Sequence, residues 1–227
     1  MIKVRELYKV YRANEIETVA LENVNLEIEK GEFVSIMGPS GCGKSTLLNV
    51  MGLLDMPTSG SVELCGTATN MMKNKEMSSF RNTHLGFIFQ SFHLINSLSV
   101  LDNVQIPLIY RGVKQKERIE RAKEVLEKLE LSHRMNHLPT QISGGQAQRV
   151  AIARAIIGNP EILFADEPTG NLDSKMGSEV MDILHNLNKV DGRTIVMVTH
   201  NEQQAKQTDR VIRLLDGCLV SSELNVR

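Results

Sequence analysis

The pattern of apolar and polar positions divides the chain into strand-like and helix-like segments. Near the amino terminus apolar residues recur at every second position, which is typical of strands that bury one face: Val19 and Leu21, then Val24, Leu26 and Ile28. Residues 33–37 (FVSIM) form a short, mostly apolar run that suits a buried strand, and residues 61–66 resume as a strand. Between them, residues 46–54 have the apolar spacing of a helix.

The middle of the chain is predicted to be mainly helical. From residue 116 to 131 the apolar positions Ile119, Ala122, Leu126 and Leu129 fall on one helical face, with charged residues opposite. Residues 149–157 also have helical spacing. These segments predict a helical insert that spans about residues 91–160.

Strand-like sequence returns after the insert. Residues 161–165 and 194–200 are apolar runs on either side of a helical segment near 175–190, and residues 210–220 suggest two short strands around Asp216 and Gly217. We therefore predict one α/β domain over residues 1–227, in which 1–90 and 161–227 form the core and about 91–160 form a helical subdomain.

Composition narrows the functional classes. Hydrophobic residues make up 41% and charged residues 23%, which is ordinary for a globular protein, and the net charge of −1 lacks the basic excess of nucleic-acid-binding proteins. No segment approaches the roughly 18 apolar residues of a membrane span, and the first residues do not resemble a secretory signal. The 3 cysteines form no CxxC pair, so a reducing cytosol is expected.

Residues 38–45 (GPSGCGKS) match the phosphate-binding pattern G-x-x-x-x-G-K-[ST], between a predicted strand and a predicted helix. Glycines let backbone amides converge on phosphates, and the start of a helix favours negative charge. Lys44 is expected to pair with the β- and γ-phosphates, and the Ser45 hydroxyl is expected to bind Mg²⁺. The residues predicted to bind ATP here are Gly38, Pro39, Ser40, Gly41, Cys42, Gly43, Lys44, Ser45 and Thr46.

A second acidic segment fits the same chemistry. The apolar stretch 162–165 leads into Asp166 and Glu167, so both carboxylates are predicted at the carboxyl end of a strand, where ligands bind in open α/β sheets. Asp166 is expected to hold Mg²⁺ and Glu167 to lie near the γ-phosphate. A nucleoside triphosphatase is therefore predicted.

A further glycine pair, in the sequence ISGGQ at 142–146, decides which kind of NTPase this is. Together with the phosphate loop, Asp166-Glu167, Leu172-Asp173 and Thr199-His200, it makes the whole chain resemble the nucleotide-binding subunit of ATP-binding-cassette (ABC) transporters. The resemblance implies a P-loop NTPase core with a mixed, largely parallel sheet flanked by helices, an N-terminal antiparallel β subdomain and a helical subdomain.

The resemblance also implies roles for individual residues. Subunits of this family pair head-to-tail, so that ATP lies between the phosphate loop of one copy and the signature residues of the other. Those signature residues are Ser143, Gly144, Gly145 and Gln146. Tyr11 is expected to stack on adenine (Tyr8 is a weaker candidate), Gln90 to contact the metal and Asp173 to link the two sites. Catalysis is assigned to Glu167, His200 and Lys44, and the metal ligands are Ser45, Gln90 and Asp166.

The implied function is Mg²⁺-dependent ATP hydrolysis by an ABC transporter subunit that forms a homodimer on ATP binding and drives separate membrane permease chains. Residues 91–110 are expected to dock the permease, although their apolar residues could instead pack the helical insert. The segments FQSFHLI, SVLDNVQIPL and DEPTGNLDSK resemble the lipoprotein-release, macrolide-efflux and antimicrobial-peptide branch. The expected location is the cytoplasmic face of the inner membrane. A cell-division ATPase or a soluble, non-transport ABC ATPase is the alternative.

Overall fold

The structure, a computed structural model, describes residues 1–13 and 16–225 of the chain. Its described strands are β1 (Ile2–Ala13), β2 (Ile16–Ile28), β3 (Phe33–Met37), β4 (Ser59–Leu64), β5 (Thr67–Ala68), β6 (Leu85–Phe89), β7 (Ile162–Asp166), β8 (Thr194–Val198), β9 (Arg210–Leu215) and β10 (Cys218–Leu224). The helices are α1 (Lys44–Met51), α2 (Asn74–His84), α3 (Val100–Tyr110), α4 (Gln115–Lys128), α5 (Gly144–Ile156), α6 (Ser174–Lys189) and α7 (Glu202–Ala205), with short 3₁₀ turns at Ser132–Arg134 and Pro139–Gln141.

Two sheets form the framework of the described part of the chain. The antiparallel sheet has the strand order β2-β1-β4-β5, and the larger sheet has the order β10-β9-β3-β8-β7-β6. In the larger sheet all neighbouring pairs run parallel except β9 and β10. The carboxyl ends of β3, β7 and β8 therefore meet at one edge, where the phosphate loop and the acidic pair follow their strands.

The apolar runs account for the burial of the central strands. Every residue of β3 and β8 is buried, as a strand covered on both faces requires. One core cluster lies between the two sheets and includes the inner face of α1. A second cluster lies on the other face of the large sheet and joins it to α3, α4, α5 and α6. The sheet is thus fixed from both sides, and the loops at its edge are held on rigid supports.

The structure differs from the sequence prediction in helix α2. Its only buried residue is Met77, so the sequence offered no apolar stripe there. A capping interaction begins this helix, in which Glu76 accepts a hydrogen bond from the backbone N–H of Lys73 at 2.8 Å. Local polar contacts, rather than core packing, thus define the start of α2.

Candidate functional site

The phosphate loop connects β3 to α1 and closes tightly on itself. A side chain at Gly38 would place its first carbon 2.1 Å from the carbonyl oxygen of Leu214, so only glycine fits there. Lys44 is buried, and its Nζ donates hydrogen bonds to the carbonyls of Gly38 at 2.9 Å and Pro39 at 2.7 Å. Cys42 is also buried, with its Sγ 3.9 Å from Nζ of Lys44. The backbone carbonyls of the loop thus surround the ammonium group of Lys44.

Asp166 lies at the end of β7, opposite the start of α1. The Ser45 hydroxyl donates a hydrogen bond to its Oδ1 at 3.2 Å. Burial raises the pKa of Asp166, and the neighbouring Glu167 charge adds to this, whereas Ser45 and Lys44 act in the opposite direction. A hydroxyl and a carboxylate oxygen so placed are ligands that Mg²⁺ prefers.

Glu167 and His200 face each other across the ends of β7 and β8. The backbone of Glu167 has a φ of +46°, and its N–H donates to the carbonyl of Val198 at 2.9 Å. This left-handed conformation is uncommon for a residue with a side chain. Oε2 of Glu167 lies 3.3 Å from Nδ1 of His200. A carboxylate and an imidazole therefore meet at the edge where the phosphate loop opens.

A cavity of about 440 Å³ joins these groups. It brings together most of the predicted phosphate-site residues with Glu167 and His200, and β2 contributes the rest of the described wall. The predicted residues that line it are Gly38, Ser40, Gly41, Gly43, Lys44, Ser45, Thr46, Glu167 and His200.

Tyr11 lies beside this cavity, next to Thr18 in the β1–β2 register. Its ring is partly exposed, and its hydroxyl donates to Oδ2 of Asp55 at 2.7 Å. Nζ of Lys9 lies 4.7 Å from the ring centroid and also donates to Asp55 at 2.7 Å. Burial would raise the pKa of Asp55, but the hydrogen bonds from Lys9 and Tyr11 hold that pKa below its usual value. Nothing in the sequence singles out Asp55, because the two side chains that donate to it, Lys9 and Tyr11, lie more than 40 positions away.

Asp173 lines a neighbouring cavity that shares Glu167 and His200 with the phosphate cavity, and Gln90 directly follows β6. Nε2 of Gln90 donates to Oδ1 of Asn171 at 3.2 Å, and Asn171 donates back to the carbonyl of Gln90 at 3.0 Å. Asp173 caps α6 by accepting a hydrogen bond from the N–H of Met176 at 2.9 Å. In this arrangement neither side chain lines the phosphate cavity, within the described residues.

The signature segment forms the start of α5. Ser143 is the N-cap: its Oγ accepts from the N–H of Gln146 at 3.3 Å, and Oε1 of Gln146 accepts from the N–H of Ser143 at 3.1 Å. The backbone donors at this helix start are thereby held in fixed positions. Of the described residues around the phosphate cavity, none comes from 143–146.

The sequence gives no indication of the role of Gln148, a further polar residue of α5. Its side chain is fully buried, and its Nε2 donates a hydrogen bond to the carbonyl of Pro168. That carbonyl follows Glu167 by one residue. The helix that begins with the signature segment is thus bonded to the turn that holds the acidic pair.

Comparison with known proteins supplies the family. The family model described as "ABC transporter" matches residues 21–170. The chain belongs to the ABC transporter family. Its phosphate loop, acidic pair and signature helix are therefore parts of an ABC ATPase, and ATP binding and hydrolysis, expected from the motifs, are confirmed by this membership.

Several relatives are similar over nearly the whole chain of this ABC ATPase. The ABC transporter ATP-binding protein MJ1508 of Methanocaldococcus jannaschii is 53% identical over 97% of this chain and 98% of its own length. The macrolide export ATP-binding/permease protein MacB of Chlorobium luteolum is 50% identical over 98% of this chain, which corresponds to 33% of that protein.

A solved structure confirms the expected fold. The ATP-binding cassette MJ0796, in a dimeric post-hydrolysis state bound to ADP and Pi, matches with a TM-score of 0.93 and 47% identity over 100% of both chains. No helix within residues 1–13 and 16–225 of the ABC ATPase is long and apolar enough to cross a membrane.

Proposed function

We propose that this ABC ATPase hydrolyses Mg²⁺-ATP in a catalytic site completed by a second copy of the chain, and that the cycle drives a separate membrane permease. The proposal rests on one observation: Lys44, Ser45, Glu167 and His200 line one cavity, while the ordered donors of Ser143–Gln146 lie outside it. Because the signature segment does not line the phosphate cavity of its own chain, it is available to bind nucleotide held by the phosphate loop of a neighbouring copy.

The proposed metal site consists of Ser45 and Asp166, with Gln90 as the third ligand. The contact between Oγ of Ser45 and Oδ1 of Asp166 supports it, because two hard oxygen ligands already converge beside the phosphate loop. When bound, Mg²⁺ would neutralise charge on the phosphate oxygens. Gln90 would exchange its hydrogen bond with Asn171 for this role.

Other side chains of the same chain would bind the phosphates and the adenine and would activate the attacking water. Lys44 would turn its ammonium from the carbonyls of Gly38 and Pro39 toward the β- and γ-phosphates. Glu167 would orient the attacking water and accept its proton, and His200, 3.3 Å away, would stabilise the charge on the γ-phosphate. Tyr11, with its ring held by Asp55 and Lys9, would stack on adenine.

The second copy would contribute Ser143, Gly144, Gly145 and Gln146. Their amides lie at the amino end of α5, where the helix dipole favours the γ-phosphate. Asp173, which caps α6 near the same edge, would connect the two sites across the interface. The dimers of MJ0796 support this arrangement, since they share the fold over the full chain.

The permease would dock on a groove of about 1010 Å³ between α2, β6 and α3. The outer face of α3 contributes Ile106, Pro107 and the exposed Tyr110, whereas Val104 and Leu108 pack inward. Residues 91–110 would thus both dock the permease and pack the helical subdomain, which we place at about 91–160. In MacB, ATP-binding and permease functions share one protein. This supports a membrane permease as the partner, with the ATPase at the cytoplasmic face of the inner membrane.

Mixing two defective subunits tests the shared site. Lys44→Ala cannot grip phosphate in its own loop, and Ser143→Arg cannot serve its partner's, but their heterodimer contains one intact site. We expect each variant alone to have almost no ATPase activity, and the mixture to regain up to about half of the wild-type rate per heterodimer. A mixture that forms heterodimers, as judged by differently tagged subunits, yet regains no turnover would overturn the proposal. Mixing two preparations of Lys44→Ala is the control.

A further inference from the structure

A cysteine, a histidine and a glutamate meet at the edge of the large sheet opposite the phosphate cavity. His84 immediately precedes β6 and Glu161 immediately precedes β7, and these strands pair with Leu85 opposite Ile162. Asp166 ends β7 and Gln90 follows β6, so they lie about 16–20 Å from Glu161 and His84 at the usual rise per residue. Cys65 comes from the turn between β4 and β5 in the other sheet. The cluster is thus separate from the nucleotide site.

The donor atoms of the three side chains converge. Sγ of Cys65, a ring nitrogen of His84 and a carboxylate oxygen of Glu161 all lie within 4.8 Å of one another. Nδ1 of His84 lies 2.8 Å from Oε1 of Glu161. Ligands of a tetrahedral Zn²⁺ ion, at bond lengths of about 2.0–2.3 Å, are about 3.3–3.8 Å apart. Small side-chain rotations therefore suffice to surround an ion.

The backbones that carry these side chains are fixed. The N–H of Glu161 donates to the carbonyl of His84 at 3.0 Å, and the N–H of Cys65 donates to the carbonyl of Met1 at 2.9 Å. The imidazole of His84 packs against the Phe80 ring, with centroids 4.4 Å apart. Cys65 packs against the core cluster between the sheets. The cluster is therefore largely formed before any ligand arrives.

We propose that Cys65, His84 and Glu161 form a Zn²⁺ site in which the fourth position is open to water. Sulfur, imidazole nitrogen and carboxylate oxygen together suit Zn²⁺, whereas Mg²⁺ and Ca²⁺ prefer oxygen ligands alone. The ion would join the β4–β5 turn of the antiparallel sheet to the amino ends of β6 and β7. The ion would lie far from the phosphate cavity, so the proposed site does not depend on the proposed catalytic mechanism.

Metal binding by the full-length, chelator-treated chain tests this site. We expect one Zn²⁺ per chain in competition with a chromophoric chelator, and a sulfur-to-metal charge-transfer band when Co²⁺ replaces Zn²⁺. Cys65→Ser should remove that band, and Cys65→Ser and His84→Ala should each weaken Zn²⁺ binding by about 100-fold or more. The melting temperature of the wild-type chain should rise with added Zn²⁺.

Two control variants separate this site from other thiols and from the nucleotide site. Cys218 is also a partly buried free cysteine, with its Sγ 4.0 Å from a carboxylate oxygen of Glu22, so Cys218→Ser should leave the Co²⁺ band intact. Asp166→Asn should likewise keep the Zn²⁺ stoichiometry. A wild-type chain with no sulfur-to-cobalt band, or a Cys65→Ser chain that binds Zn²⁺ as tightly as wild type, would refute the site.

Discussion

At the scale of single residues, Glu167 joins two unusual properties. It has a left-handed backbone, and its carboxylate lies 3.3 Å from the imidazole of His200. Backbone strain of this kind persists only where surrounding contacts impose it, and here the hydrogen bond from its N–H to Val198 contributes. Glu167 is one of the residues that line the phosphate cavity.

The variant Glu167→Gln tests this placement. It preserves the shape of the side chain but cannot accept a proton, so we expect ATP hydrolysis to fall by about 10²–10⁴-fold while ATP binding remains. Steady-state phosphate release and fluorescent-nucleotide titration measure the two properties separately. Glu179→Gln, on the exposed face of α6, is the matched control and should retain full activity. Near-normal turnover of Glu167→Gln would remove Glu167 from the mechanism.

Asp55 makes stability depend on pH. Its pKa is lowered in the folded chain, so its contribution is present above the unfolded value of about 3.9 and is lost as pH falls through the folded value. We expect Asp55→Asn to lower the free energy of unfolding by about 1 kcal/mol at pH 7. The difference from wild type should be smaller at an acid pH below the unfolded value, where the carboxylate begins to be protonated. Urea unfolding at both pH values measures it, with the exposed Asp182→Asn as control.

At the scale of elements, α5 shows why a helix start can have two functions. Ser143 both caps the helix and lies in the segment that we assign to the partner's nucleotide. Removal of an N-cap hydroxyl costs about 1 kcal/mol whatever else the residue does. A second helix is needed to separate the two contributions.

Helix α3 provides that comparison, because Ser99 caps it with the same bond, accepted from the N–H of Asp102 at 3.1 Å. Ser99→Ala and Ser143→Ala should both lower the free energy of unfolding by about 1 kcal/mol in urea titrations. Only Ser143→Ala should also lower ATP turnover, by about 10-fold or more for the loss of one charge-assisted hydrogen bond. Equal turnover in both variants would limit Ser143 to helix capping.

The elements also show what the sequence could and could not predict. The buried strand β3 was predicted to the residue, because an apolar run bounded by a turn and a glycine-rich loop leaves few alternatives. The phosphate loop and the acidic pair were recognisable because their chemistry needs a short, fixed spacing. Helix α2 was missed because only Met77 is buried.

The unpredicted parts of the site are contacts between distant segments. The Tyr11–Asp55 bond spans 44 positions, and the Gln148–Pro168 bond spans 20. Single side chains that meet only in the folded chain leave no periodicity in the sequence. The triad of Cys65, His84 and Glu161 has the same origin, since its members are 19 and 77 positions apart. Such sites become visible only once the register of the sheets is known.

At the scale of the whole molecule, the signature segment is absent from the described residues that line the phosphate cavity of the same chain. With hydrolysis blocked, bound ATP should therefore hold two copies together. We expect Glu167→Gln to sediment as a monomer without nucleotide and at twice that mass with Mg²⁺-ATP. Adding Lys44→Ala to the same chain should keep it monomeric, because its phosphate loop no longer grips the nucleotide. A double variant that still dimerises would show that dimerisation does not depend on bound nucleotide.

The buried side chain of Gln148 has one more consequence for the paired molecule. Each copy would extend α5 toward its neighbour's ATP while the same helix is bonded, through Pro168, to its own catalytic turn. If α5 shifts when a neighbour's phosphate leaves, we expect the shift to reach the turn that carries Glu167, the residue proposed to orient the attacking water. We therefore expect the two nucleotide sites of a dimer to be coupled, so that phosphate release at one site alters the position of Glu167 at the other.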